Sequence, residues 1–169
     1  TLDKLNRLKN ITDTQTQTAI VSYDYIGGRL IEKILANATK LSTLNDAGNA
    51  NEGYDALGRL VKMRHSKDTT TFAGYKYSYN RENMHTSKED LVFAGLSEVY
   101  AMDSVYRVVD FQRGTLNATK DAIAGTPVNT QTWQLDGVGN WAMTAINGTA
   151  KTQTINAMNE YELFDNKTQ

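Results

Sequence analysis

The sequence has no cysteine and almost no proline, and each absence limits what the chain can form. Without a thiol there can be no disulfide, no thiolate metal site and no cysteine nucleophile. Pro127 is the single proline. Because proline cannot donate a hydrogen bond to a β-ladder, its scarcity favours regular ladders joined by Gly, Asn and Asp turns.

The chain also lacks an excess of charge and a long apolar run. Its 18 basic and 19 acidic residues leave a net charge of −1, which provides no long-range field to attract nucleic acid or an anionic membrane. No apolar segment approaches the roughly 20 residues that a membrane-spanning helix requires. We therefore expect neither a nucleic-acid partner nor insertion into a membrane.

A short motif recurs along the chain at intervals of about 20 to 33 residues, which is typical of a repeat array. It consists of an aromatic or aliphatic residue, Asp or Asn, two or three variable residues, a turn residue, often Arg, and an aliphatic residue. We assign these residues to it: Asp3, Arg7, Tyr23, Asp24, Gly28, Arg29, Tyr54, Asp55, Gly58, Arg59, Tyr79, Asn80, Asp103, Arg107, Asp136, Gly139 and Asn156.

The motif predicts the corner of a β-hairpin. Before Asp24 the residues alternate in the manner of a strand, with Val21, Tyr23 and Tyr25 on one face. An Asp or Asn side chain can accept hydrogen bonds from backbone N–H groups just ahead of it and close a turn, and the following Gly or Asn can adopt a positive φ. The aliphatic residues after the turn, such as Leu60, then begin a new strand.

These features predict an all-β fold, an array of antiparallel β-hairpins forming a curved or spiralling sheet with few or no helices. Residues 1–169 would form a single array of about seven repeats. Polar segments at 12–18, 45–52 and 68–71 are expected to form the turns at the opposite ends of the strands. Segments 88–94 and 116–124 interrupt the pattern and are expected to be loop insertions.

No residue pattern indicates a catalytic, cofactor or metal site, so we predict no enzyme, no cofactor and no zinc at His65 or His85. The motif aspartates could also be calcium ligands, but they stand one per hairpin, whereas calcium loops place several oxygen donors within about a dozen residues. The tyrosines, with Trp133 and Trp141, could bind a glycan or a protein. Their regular motif offsets favour packing instead.

The segments Tyr23-Asp24 to Arg29-Leu30 and Tyr54-Asp55 to Arg59-Leu60 resemble the YD-repeat, or rearrangement-hotspot (RHS), family. In that family antiparallel hairpins form a strip that spirals into a hollow shell. Its members include toxin-encapsulating bacterial proteins and the adhesive teneurins. The resemblance covers essentially the whole chain, although a complete shell has many more repeats than are found here.

The resemblance implies a structural role as β-sheet wall of a shell or filament, and a secreted or cell-surface location. A carbohydrate- or protein-binding adhesion module and a part of a toxin-delivery protein are the alternatives. Because an exposed strand edge can pair with another strand, we expect the chain to join copies of itself through its terminal strands, or to join the rest of a larger chain. Under the adhesion alternative we expect a glycan or protein ligand.

Overall fold

The computed structural model describes residues 1–43, 53–164 and 167–168, which form strands and one 3-10 turn at Ala94–Leu96. The predicted opposite turn at 45–52 lies outside the described residues. The strands are β1 (Asn10–Thr12), β2 (Ala19–Ile26), β3 (Arg29–Leu35), β4 (Thr39–Ser42), β5 (Lys62–Lys67), β6 (Thr70–Tyr79), β7 (His85–Asp90), β8 (Ser97–Met102), β9 (Val108–Gly114), β10 (Asn129–Leu135), β11 (Trp141–Ile146), β12 (Thr149–Ile155), β13 (Tyr161–Phe164) and β14 (Lys167–Thr168).

The chain forms two compact units. The first comprises Thr1–Tyr77 with Asp90–Val92, and the second comprises Ser78–Glu89 with Phe93–Gln169. Within the first unit each strand from β1 to β6 pairs antiparallel with the next. Within the second unit the same holds from β7 to β14. The predicted all-β class and antiparallel hairpin array are confirmed.

Few apolar side chains are buried. Among the described residues, Val21 and Leu116 are the buried apolar ones, whereas buried polar side chains include Ser87, Ser97 and Glu98. Because little apolar area is removed from water, the hydrophobic effect contributes less here than in a layered domain. The backbone ladders, the cross-strand pairs and the polar contacts at the turns must therefore stabilise much of the fold.

The two segments predicted to be loop insertions, 88–94 and 116–124, have different structures, and the first begins within a strand. Residues 88–90 continue strand β7, and the 3-10 turn follows. Residues 116–124 form a loop that closes on itself through a bridge between Leu116 and Ile123 and through Asn117, whose side chain accepts from the backbone N–H of Asp121. No described helix is long and apolar enough to cross a membrane.

Candidate functional site: the aspartate corners

Six five-residue corners share one geometry. In each, the backbone N–H of the first residue donates to the carbonyl of the fifth, and the N–H of the fourth donates to the carbonyl of the first. Flanking residues form cross-strand pairs such as Tyr54 with Leu60 and Met102 with Val108. We call these segments the corners: residues 3–7, 55–59, 80–84, 103–107, 136–140 and 156–160.

The first residue of each corner is Asp or Asn, and its side chain closes the turn. Oδ1 of Asp103 accepts from the backbone N–H groups of Val105 and Arg107, both at 3.0 Å. Oδ1 of each of the other five first residues accepts the same two backbone bonds, at 2.9–3.1 Å. The side chain of the first residue therefore closes the turn at these six positions, including the two where Asn replaces Asp.

The fourth residue of each corner has a positive φ. Gly58 and Gly139 occupy this position with φ of 82° and 99°, and Asn6 does so with 62°. Gly and Asn tolerate this left-handed region best. Tyr106 adopts it as well, with φ of 66°. An aromatic residue has no such tolerance, so the corner geometry imposes local backbone strain at Tyr106.

The fifth residue is Arg in three corners, and its guanidinium binds the corner carboxylate. Nε of Arg7, Arg59 and Arg107 lies 2.7, 2.6 and 2.7 Å from Oδ2 of the corner aspartate. Nε and the backbone N–H of the same arginine therefore bind the two oxygens of one carboxylate. Such charge-assisted pairs are stronger and more directional than neutral hydrogen bonds.

These hydrogen bonds lower the pKa of the corner carboxyls. The bond from the Arg7 side chain, followed by that from its backbone N–H, holds the pKa of Asp3 below its usual value. At Asp103 the backbone N–H of Arg107 has the largest effect on the pKa. At Asp55 burial acts in the opposite direction, but the bonds from Arg59 outweigh it and the pKa is again lowered. The corner aspartates are thus held in their charged form.

Three corners carry other fifth residues. Asn140 replaces Arg and donates from Nδ2 to Oδ2 of Asp136 at 2.8 Å. In the last corner the polarity is reversed, since Asn156 donates from Nδ2 to Oε2 of Glu160 at 2.9 Å. Met84 is the fifth residue of the corner that begins with Asn80, and its side chain cannot donate to a neighbour.

The copy at Tyr23-Asp24 differs from our prediction. Both residues lie within β2, where Asp24 is opposite Glu32, and the chain reverses three residues after Asp24, at Gly27-Gly28. Tyr25, paired with Leu30, takes the place that Tyr54 has in the next corner. A Gly-Gly pair with a positive φ at Gly27 forms a two-residue hairpin turn unaided, so no aspartate is needed to close it.

Several of these side chains, and Arg29 after the Gly27-Gly28 turn, also contact the next turn at the same end of the strands. Arg7 donates from Nη1 to the carbonyl of Gly27, and Arg107 donates from Nη1 to that of Asp136 at 2.8 Å. Arg29 approaches Gly58 so closely that a Cβ added there would lie 2.6 Å from its Nη2. Asn140 donates to the side chain of Asn159. These contacts join successive hairpins, a role that the motif alone did not indicate.

The tyrosines beside the turns are bound within the sheet. Tyr25 and Tyr54 donate their hydroxyl groups to the carbonyls of Leu8 and Leu30, each at 3.0 Å. Arg7 lies over the ring of Tyr25 with its Cζ 4.5 Å from the centroid, and Arg29 lies 5.2 Å over that of Tyr54. Each ring thus contacts the preceding hairpin, which favours the packing interpretation of these tyrosines.

A buried carboxylate forms a second polar cluster that the sequence did not reveal. Glu98 on β8 is 6% exposed and lies 2.8 Å from Nζ of Lys88 on β7 and 2.7 Å from Nη2 of Arg113 on β9. Tyr100 donates its hydroxyl to the same carboxylate. Burial acts to raise the pKa of Glu98, but the bonds from Lys88, Tyr100 and Arg113 outweigh it and the pKa is lowered.

No group of three or more potential metal ligands occurs among the described residues. His65 packs beside Phe72, with ring centroids 6.2 Å apart, and His85 packs beside Tyr79 at 4.6 Å. Each corner carboxylate is engaged by its own turn. What the site does chemically is therefore to close and join hairpins.

Comparison with known proteins gives matches by structure alone, since no family model and no curated protein matches the sequence. One similar structure is a Tc holotoxin pore of Photorhabdus luminescens carrying a TccC3-D651A mutation, with a TM-score of 0.69 and 16% identity. Another is a crystal structure of TcdB2-TccC3-Cdc42, with a TM-score of 0.66 and 15% identity. Each match covers 97% of this chain and 9% of the other.

The predicted resemblance to the YD-repeat family is confirmed at the level of the fold. The corners 3–7, 55–59 and 103–107 carry the Asp-x-x-x-Arg spacing of the motif, and the likeness to both solved structures extends along 97% of the chain. The chain therefore has the fold of an RHS/YD-repeat segment.

Proposed function

We propose that the chain is a structural protein, a stretch of β-sheet wall in a shell or filament built from YD repeats and located outside the cell or at its surface. The observation that supports this role most directly is the contact from one turn to the next. Arg107 closes its own corner through Asp103 and binds the following corner through the Asp136 carbonyl. A wall requires repeated contacts of this kind between its hairpins, whereas catalysis does not require them.

The likeness to Tc toxin complexes favours a wall in a toxin-related assembly. The match extends along 97% of the chain but spans only 9% of each similar chain. We infer that the chain works as part of a larger wall, formed by further repeats in the same polypeptide or by additional copies. Enclosure of a toxin would be a function of that larger assembly.

A glycan- or protein-binding adhesion module is the second candidate. Trp141 is 45% exposed and Phe72 is 50% exposed, so aromatic surface is available to a ligand. The hydroxyl groups of Tyr25 and Tyr54 are instead bound to backbone carbonyls, and their rings lie under arginines. These two rings pack within the sheet, and we therefore favour the structural role over the adhesion module.

The size distribution of the purified chain tests the proposal. Light scattering and negative-stain microscopy across a concentration series should show regular rings, tubes or fibres that form without a ligand, since exposed strand edges pair with other strands. Tryptophan fluorescence with soluble glycans is recorded in parallel. A monomer at every concentration whose fluorescence changes saturably with a glycan would contradict the wall role and favour the adhesion module.

A further inference from the structure

The third residue of a corner carries an exposed apolar side chain in five of the six corners. These residues are Leu5, Leu57, Val105, Val138 and Met158. In the second unit Val105 is 61% exposed, Val138 is 77% exposed and Met158 is 75% exposed. Apolar residues scattered singly over a surface need no explanation. These residues recur at one structural position, and they therefore form a pattern.

Three of these residues lie in one row in the second unit. The corners that contain them join β8 to β9, β10 to β11 and β12 to β13, and the strands between them pair antiparallel in sequence order. Successive corners are therefore two strands apart, which is roughly 10 Å in a β-sheet. Val105, Val138 and Met158 thus form a row with equal intervals at one end of the strands, which we call the tip row.

The tip row is fixed in position and uncharged. The backbone N–H of each of its three residues donates to Oδ1 of the first residue of the same corner, at 2.9–3.0 Å. The residues on either side of them in the chain are all uncharged, namely Ser104, Tyr106, Gly137, Gly139, Ala157 and Asn159. Because the turns already fix the backbone, contact with another surface would order few additional groups. An uncharged row can also meet a copy of itself without like-charge repulsion.

We propose that the tip row binds the tip row of a second copy of this chain, with the two copies related by a two-fold axis. Such an axis places the same residues on both sides of the contact. Three side chains then meet three at the same interval, so that Val138 faces Val138 of the second copy and Val105 faces its Met158. The matching interval is the reason for choosing a second copy over an unrelated surface. Glu82, the third residue of the preceding corner, lies outside the contact.

The other ends of the strands offer no equivalent row in the part of the second unit that the structure describes. The turn Asn147-Gly148 is polar, and Lys120 forms an exposed ion pair with Glu89. Val128 is exposed in the connection between β9 and β10, but the neighbouring Asn147-Gly148 turn has no apolar counterpart to it. The corner end is therefore the side on which two copies would meet.

The contact between two tip rows is small. Three exposed apolar side chains offer on the order of a few hundred Å², whereas a stable interface buries about 800 Å² on each partner. A single pair of copies would therefore associate weakly, and the contact would become strong where it is repeated along two assembled walls. The inference rests on the proposed wall role for this repetition, and it adds a side-by-side contact to the pairing of strand edges.

Cysteine cross-linking tests the proposal, because the chain has no cysteine of its own. Under mild oxidation with copper phenanthroline, Val138→Cys should form a disulfide-linked dimer several-fold faster than Val128→Cys, which is the exposed control at the other ends of the strands. Glu82→Cys should also react slowly, since it lies outside the contact. Cross-linking of all three variants at the same rate would overturn the proposal.

A mixture of two single-cysteine chains tests the two-fold arrangement. Because Val105 would face Met158 of the second copy, Val105→Cys mixed with Met158→Cys should give the mixed dimer several-fold faster than either variant alone gives a dimer with itself. Dimers formed mainly by each variant with itself would overturn the two-fold contact.

The variant Val138→Lys separates the tip contact from the wall role. It should form rings, tubes or fibres as the wild type does, but negative-stain images should no longer show them associated side by side, since like charges meet on the axis. Unchanged side-by-side association would overturn the proposal. Absence of rings, tubes and fibres in the wild type would contradict the wall role, whereas fast cross-linking of Val138→Cys would still support the tip contact. Binding of the wild type, but not of Val138→Lys, to phosphatidylcholine vesicles would identify a lipid surface as the occupant and overturn the proposal.

Discussion

Arg107 donates from Nη1 to the backbone carbonyl of Asp136, 29 residues further along the chain, at 2.8 Å. The same side chain binds Asp103 through Nε at 2.7 Å. One guanidinium therefore fixes the conformation of its own turn and the position of the next. The two bonds require donors that diverge from a planar group, which only arginine provides.

Replacement of Arg107 by lysine should lower the free energy of unfolding by about 1 kcal/mol, because one ammonium cannot reach both acceptors. Replacement by alanine should cost only slightly more. Denaturant unfolding measures both effects, and Arg81→Ala in an exposed position is the control, with an expected change of no more than roughly 0.5 kcal/mol. A lysine variant as stable as the wild type would show that the joint is not used.

Replacement of Tyr106 by asparagine should raise stability. Tyr106 holds a φ of 66° while its side chain is 53% exposed, so the substitution relieves backbone strain and loses little packing. Asparagine adopts this region readily, and we expect a gain of roughly 1 kcal/mol. Thermal unfolding measures the gain, with Val105→Asn as the control in the same corner. A gain of equal size at Val105 would show that strain is not the cause.

Stability should fall in acid as the corner aspartates are protonated. The pKa values of Asp3, Asp103 and Asp136 lie below the ordinary 3.8 in the folded chain. Folding therefore favours the charged form. The charged carboxyls contribute fully to the free energy of unfolding above the pKa of the unfolded state. This contribution is lost as the pH falls through the pKa values of the folded state. Unfolding in denaturant from about pH 6 down to about pH 2 should show this loss.

The variant Asp103→Asn separates charge from turn closure in the same pH series. Its Oδ1 should still accept the backbone N–H bonds, as those of Asn80 and Asn156 do, but the charged contact with Arg107 should be lost. Its stability should depend less steeply on pH below about 4 than that of the wild type. An unchanged pH profile would assign the acid sensitivity to other carboxyls.

Replacement of Glu98 by glutamine should destabilise the second unit by roughly 2 kcal/mol, since it leaves Lys88 and Arg113 close together without a counter-charge. We expect this loss of stability to be smaller than the loss on breaking a fully buried ion pair, because Arg113 is 40% exposed. Glu89→Gln is the matched control, since Glu89 forms an exposed pair with Lys120 and should change stability little. Equal effects at the two positions would contradict the importance of burial.

The corners could be predicted because their bonds are local. Asp103, Val105 and Arg107 interact within five residues, so residue type and spacing carry the information. Asp24 misled the prediction because the sequence offers two tyrosines, Tyr23 and Tyr25, before the turn. Which tyrosine flanks the turn depends on where Gly27-Gly28 reverses the chain. This position follows from the register in which β2 pairs with β3.

The contacts between hairpins could not be predicted in the same way. Lys88, Glu98 and Arg113 meet because strands β7, β8 and β9 align them in one cross-strand row. The reach of Arg107 to Asp136 likewise depends on which turn becomes the neighbour in space. Both are consequences of register, which a one-dimensional motif does not contain.

The six corners have one length, whereas the turns at the other ends of the strands do not. Asn147 and Gly148 form a turn of two residues between β11 and β12, while residues 115–128 separate β9 from β10. Arginine joints are found at these corners and also at the shorter Gly27-Gly28 turn. Residues 116–124 lie in one of these longer connections, away from the corners, so a foreign peptide placed there should be displayed without disturbing the arginine joints.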